Sequence, residues 1–178
     1  VRQIENQNLH ALNIPELTII TPAALQTEAE RVAQLHREEG LTVAVIEQEK
    51  IFNEFSSGVP DASAYRRLMK MFYDRAEGNE NVRPRYLLLF GDGSYNNRKS
   101  MEKLHSPECN MLLTYQSKTS IDERESFVIE DYFGFLEDNS GEEIKVDKVC
   151  LGIGRFPISS IKNARLVVDK LYRYVHDK

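Results

Sequence analysis

A histidine and a cysteine four positions apart, His105 and Cys109, are the first residues in this chain whose types could do covalent chemistry. A thiol becomes a nucleophile near neutral pH when a base such as imidazole takes its proton. The sequence around the pair argues against that use. Pro107 lies between them and breaks a shared helical face, and no strand end presents Cys109 as a nucleophile. A loop thiol beside a strand is the expected role. Cys150 sits inside the apolar run 149–153 (VCLGI) and reads as a small buried hydrophobe. His10, His36 and His176 are isolated along the chain, so no spacing suited to a His/Cys metal site emerges.

The second candidate is the turn Gly91-Asp92-Gly93-Ser94-Tyr95-Asn96. Its glycines resemble a phosphate loop, but Asp92 would repel phosphate, no capped helix begins directly afterwards, and no Gly-Lys-Ser or Gly-Lys-Thr follows. A nucleotide cofactor is not expected. Asp92 is expected to bond local backbone amides in a glycine-permitted turn. A calcium role for Asp92 with another carboxylate is the competing use, since hard cations take clustered oxygens, and Glu130-Asp131-Tyr132 could share the same edge.

These residues need elements to position them. Residues 17–20 form a β-branched run, and Thr21-Pro22 predicts a helix starting near 22, with Leu25, Ala29, Val32 and Ala33 on one face. Gly40 stops it, and residues 41–46 read as a second strand, so the crossover favours parallel pairing. Residues 51–58 suggest a short helical turn ending at Gly58. Asp61 caps a long helix carrying Tyr65, Leu68, Met69, Phe72 and Ala76. Residues 86–90 (YLLLF) read as a strand covered on both faces. After an irregular stretch and a short apolar run at 111–115, residues 127–136 suggest a hairpin whose turn is 138–141. A buried strand is expected near 149–154, then a helix capped by Ser159 or Ser160 with Ile161, Ala164, Val168, Leu171 and Val175 along one stripe. The pattern is βαβαβ, a doubly wound α/β class with a parallel-rich sheet flanked by helices, and residues 1–178 read as one domain.

Composition narrows the partners. Of 178 residues, 23 are Lys or Arg and 28 are Asp or Glu, giving a net charge of −5, which disfavours a broad nucleic-acid face. Hydrophobic residues make up 41% and charged residues 29%, a globular rather than disordered balance. No apolar run approaches the roughly 20 residues a membrane-spanning helix needs. Two cysteines are too few for a disulfide framework and leave the compartment undecided. The polar opening after Val1 and the close on a helical pattern at 174–178 read as the boundaries of a piece, so an export signal or a catalytic group is expected to lie outside it.

Four segments in order resemble the amino-terminal half of the gingipain family of cysteine peptidases. They are Tyr86-Leu87-Leu88-Leu89-Phe90-Gly91-Asp92, Glu130-Asp131-Tyr132-Phe133-Gly134, Ile153-Gly154-Arg155-Phe156-Pro157, and the helix closing on Val167-Val168-Asp169-Lys170-Leu171-Tyr172-Arg173-Tyr174. Residues 52–58, 90–95 and 113–117 resemble most the branch that serves type IX secretion as a sortase. The resemblance covers residues from about 10 to the end and implies a caspase-like fold of two sheet subdomains, this chain being the first, flavodoxin-like one. The general-base His-Gly motif and the nucleophilic Cys of the family belong to the second subdomain, and neither matches a position here. No catalytic, cofactor-binding or metal residue carries over. The family's calcium run of Asp, Tyr and Glu falls on Val146, Lys148 and Cys150.

The resemblance further implies that the parent protein is exported to the cell envelope or outer-membrane surface. There it would remove carboxyl-terminal sorting domains from secreted cargo by acyl transfer through a thioester. The expected partners are the downstream catalytic subdomain and the cargo proteins, with Leu171 and Val175 at the rim of a subdomain contact unless their helical register turns them into the core. The alternative is a non-catalytic flavodoxin-like module that docks a protein partner, favoured if the parent lacks a downstream His and Cys pair.

Overall fold

β1, Leu17–Thr21, is buried at all five positions, so neither of its faces meets water. In the computed structural model, which describes residues 6–102, 104–106, 108–119, 121–143 and 146–177, this strand lies inside a four-stranded sheet. β2 (Val43–Glu47), β3 (Tyr86–Phe90) and β4 (Gly152–Phe156) complete the sheet in the order β2-β1-β3-β4, all parallel. Thr18 and Ile20 face one side and Leu17 and Ile19 the other, as a period of two requires.

Helices cover both faces, as doubly wound α/β folds need. α1 (Gln26–Glu38) places Ala29, Val32 and Ala33 against Leu17, Ile19 and Phe90, and α5 (Ile161–His176) adds Ala164 and Val168 to the same core. On the other face α2 (Gln48–Phe55) and α3 (Ser63–Arg75) supply Ile51, Phe52, Tyr65, Leu68, Met69 and Phe72 against Ile20, Leu87 and Leu89. A short helix, α4 (Asn97–Glu102), follows the turn after β3. Among the described residues no helix is long and apolar enough to cross a membrane.

Ser160 caps α5 as expected, its Oγ accepting from Asn163 N at 3.2 Å. The cap position of α3 is instead Ala62, and Asp61, one residue earlier, accepts from Ser63 N through Oδ1 at 2.9 Å. Elsewhere the expectations shift. Thr21 does not cap a helix at Pro22, because it still pairs with Glu47 and its hydroxyl donates to Phe90 O across the sheet. Pro22 is therefore extended, and a 3-10 turn, Ala23–Leu25, precedes α1. The last strand begins at Gly152, opposite Tyr86, rather than at 149. Cys150 lies before it, half-buried, with its amide tied to Gly134 O at 2.8 Å.

The expected hairpin at 127–136 does not form. Val128 makes a single antiparallel bridge back to Gln116, and Asp131–Gly134 coils into a 3-10 turn. Arg66 on α3 is the cause: it donates to Phe135 O at 2.7 Å and Ser140 O at 2.6 Å, drawing the segment onto the helix. Tyr132, Phe133, Phe135 and Leu136 then enter the core as a cluster instead of alternating across a ribbon.

Candidate functional site

In open α/β sheets ligands and catalytic groups gather beyond the carboxyl ends of the strands, where β1 and β3 send their connections to opposite faces. Here that edge carries Gly91, Asp92 and Gly93 after β3, Arg155 near the end of β4, and the segments of the 111–115 run and of Glu130 laid against them. Asp92 Oδ1 accepts from Gly93 N at 2.9 Å, the local turn bond expected of it. Its backbone receives the 111–115 run: Asp92 N donates to Asn110 O and Leu112 N donates to Asp92 O, each at 2.8 Å. Thr114, buried, donates to Ser94 O at 2.8 Å, and Asn97 donates to Thr114 O at 2.8 Å.

Arg155 organises this edge. Its Nε donates to Glu130 Oε1 at 2.9 Å, with Nη2 at 2.8 Å from the same oxygen. Nη1 donates to Gly91 O and Asp92 O, and Nη2 to Leu113 O, at 3.1–3.3 Å. One guanidinium thus gathers three carbonyls and a carboxylate, the forked use to which arginine is suited. Burial pushes the Glu130 carboxyl above the ordinary glutamate value even though Arg155 opposes it. Among the described residues Glu130 Oε2 has no hydrogen-bond partner. A Cβ at Gly93 would stand 2.9 Å from Thr114 Cγ2 and 3.3 Å from Arg155 Cζ, so the turn is packed shut against the clamp.

The residues expected to do chemistry are distributed elsewhere. Exposed His105 holds Glu49 Oε1 at 3.5 Å, while buried Cys109 directs its Sγ to Met111 O at 3.8 Å. Cys150 Sγ lies 3.6 Å from Lys148 O. His10 pairs with Glu54, His36 with Glu39, and His176 packs on Tyr172. The structure brings Asp92 and Glu130 to one edge, as expected, through Arg155, which sequence reasoning had not singled out. The available signal was a cation on an otherwise apolar strand, Ile153-Gly154-Arg155-Phe156.

Calcium finds no support in the donor set. Val146 offers no side-chain oxygen and is 79% exposed, Lys148 is a cation, and Cys150 is a thiol, whereas calcium takes hard oxygens. Among the described residues no group of three or more His, Cys, Asp or Glu is placed to hold a metal ion.

Away from this edge, an open groove of about 570 Å³ lies over the amino ends of β1, β3 and β4. Leu17, Leu88, Phe156 and two glycines of β4, Gly152 and Gly154, line it. Leu171 packs against the α1-side core and Val175 is half-buried, whereas Ile161, expected on the buried stripe, is exposed at the first position of α5. The other exposed apolar residues of the helix are Leu166, Val167 and Tyr174.

Comparison with known proteins agrees with this architecture. The model of peptidase family C25 matches residues 10–178. No curated protein matches the chain. The crystal structure of dimeric latent PorU from Porphyromonas gingivalis superposes with a TM-score of 0.84 at 44% identity, covering 96% of this chain and 16% of PorU. A second solved structure, described only as a protease, has a TM-score of 0.56 at 12% identity over 89% of this chain and 27% of its own, a likeness of fold alone. The chain thus spans about a sixth of the PorU chain it resembles. With the family model covering nearly its whole length, the chain belongs to peptidase family C25, the gingipain family of cysteine peptidases.

Proposed function

We propose that this chain is the first, non-catalytic subdomain of a PorU-like cysteine peptidase, and that the nucleophilic Cys and general-base His lie in a following subdomain. The observation that carries this reading is the match to PorU over 96% of this chain but only 16% of that one. The carboxyl edge supports it, because the groups there are committed to one another: the Arg155 guanidinium is spent on Glu130 and three carbonyls.

In the whole protein the reaction is thiol acyl transfer. A Cys attacks the scissile carbonyl of a cargo protein, a His moves the protons, and the thioester passes the acyl group to water or to an acceptor amine. The substrates are secreted cargo carrying carboxyl-terminal sorting domains, processed at the cell envelope after export. This subdomain supplies a scaffold whose outer α5 face, with Leu166, Val167 and Tyr174, meets the catalytic subdomain. A test is to express the chain extended into its natural downstream region with Cys109→Ala and Cys150→Ala. The doubly substituted protein retains cleavage of a sorting-domain substrate. Loss of cleavage with an unchanged melting temperature would overturn the assignment.

A further inference from the structure

Between Ser117 and Phe127 the chain leaves the body of the protein and returns. Ser117 N donates to Phe127 O at 3.0 Å, Phe127 N to Ser117 Oγ at 3.1 Å, and Ile129 N to Tyr115 O at 3.0 Å. Tyr115 stacks on Tyr132 with ring centroids 3.4 Å apart, so the base of the excursion is anchored on the core. Beyond that base, residues 121–125 are all exposed, and Ile121 is 97% exposed, an unusual state for an isoleucine. Three backbone amides here bond locally to Asp122, Arg124 N to its side chain and Glu125 N and Ser126 N to its carbonyl. Glu125 O accepts from Ser117 Oγ, and Ser126 Oγ pairs with Tyr95 OH at 2.7 Å, so the tip is held from its carboxyl side.

Proteolysis of a folded protein needs a segment that can enter a protease cleft in extended form, and exposed polar loop tips meet that need first. Arg124 is the basic residue best placed for it. Among the described residues no hydrogen bond or ion pair engages its guanidinium, whereas Lys118 lies at the anchored base, 3.9 Å from Glu142. Of the other loops rich in exposed charge, 77–83 has its basic residue at Arg83, directly before Pro84, where the fixed ring hinders cleavage. Exposed Lys148 stands two residues before Cys150, whose amide is tied to Gly134 O.

We propose that residues 121–126 form a proteolytic modification site, cut after Arg124 by a peptidase of trypsin-like specificity, and that the nicked domain stays folded. Water adds across the Arg124–Glu125 amide, leaving a carboxylate on Arg124 and an ammonium on Glu125. The carboxyl-terminal piece keeps its place because β4 pairs with β3 along five residues and Tyr132, Phe133, Phe135 and Leu136 remain in the core. The acidic neighbours Glu123 and Glu125 slow the cut relative to the same loop with neutral residues at those positions, without moving it. This inference is independent of the peptidase assignment, since it concerns the chain as a substrate.

The test is limited digestion of the native chain with trypsin, followed by intact mass, amino-terminal sequencing and size exclusion. The expected first product has one new amino terminus at Glu125, elutes as a single folded species with its partner piece, and keeps its far-ultraviolet circular dichroism. Arg124→Gln, a surface change, slows the first cut by on the order of tenfold or more. A first cut after Lys118, Arg83, Arg85 or Arg98 overturns the proposal, as does separation of the pieces or an unchanged rate in Arg124→Gln.

Discussion

Replacing Arg155 with Met tests whether the clamp at the carboxyl edge holds the fold. The aliphatic stem is kept, so the change removes the donors and little packing. Glu130 loses both contacts to the guanidinium, at 2.8 and 2.9 Å, and Gly91 O, Asp92 O and Leu113 O each lose a donor. Breaking one half of a buried ion pair is worth about 3–5 kcal/mol, mostly from the charge left behind. Two features put this case at the low end: the Glu130 side chain is 28% exposed, and Asp92 O keeps the Leu112 amide. The expected loss is roughly 3 kcal/mol, a large part of the roughly 5–15 kcal/mol typical of a domain. In urea that lowers the midpoint by about 1–3 M at an unchanged slope. Adding Glu130→Leu removes the orphaned carboxylate, so the double variant is more stable than Arg155→Met alone. A loss below about 1 kcal/mol, or strict additivity of the two changes, would refute the clamp.

Glu54 gives a pH prediction. Burial raises its carboxyl, but donors from Leu9 N, Gln7 and His10 outweigh that and hold it below the usual glutamate value. A depressed folded value means the unfolded chain binds the proton more tightly, so this stability is present above the ordinary glutamate range and fades as pH falls through the folded value. Glu54→Gln flattens that acid limb in urea titrations from pH 7 to 3; an unchanged limb refutes it. Thr18 is fully buried and its hydroxyl has no partner among the described residues, so Thr18→Val raises stability by about 1 kcal/mol by urea melts, and a fall contradicts the buried-orphan account. Tyr65 OH donates to buried Gln48 at 2.7 Å and accepts from Leu113 N at 3.3 Å, so Tyr65→Phe loses about 1–3 kcal/mol; a neutral result would mean the pair is not formed.

Periodicity carried much of the fold. The apolar stripes of α1 and α3 and the β-branched or leucine-rich runs of β1 and β3 are local signals, and the sheet forms from them in parallel as expected. The errors fall where a distant side chain overrides local pattern. Residues 127–136 alternate well enough to suggest a ribbon, but Arg66, more than sixty residues earlier, captures Phe135 O and, just beyond the segment, Ser140 O. Val149 and Cys150 are as apolar as a strand, yet the amide of Cys150 is claimed by Gly134 before the ladder begins. The same limit applies to the site. Asp92 and Glu130 could be placed at one edge from the order of elements, but the arginine joining them acts across 25 residues to Glu130 and 63 to Asp92. A single cation in an apolar strand was the visible trace of it.

The chain carries the fold of a C25 peptidase, and the proposal that its nucleophile and general base lie in a following subdomain is open to a direct test. The most direct measurement is turnover of a fluorogenic peptide panel by the isolated chain, with mass-spectrometric mapping of a peptidyl thiol trap on Cys109 and Cys150. No turnover and no trap on either thiol are expected under conditions where the chain is folded. Turnover that disappears in Cys109→Ala, with the melting temperature unchanged, would contradict it.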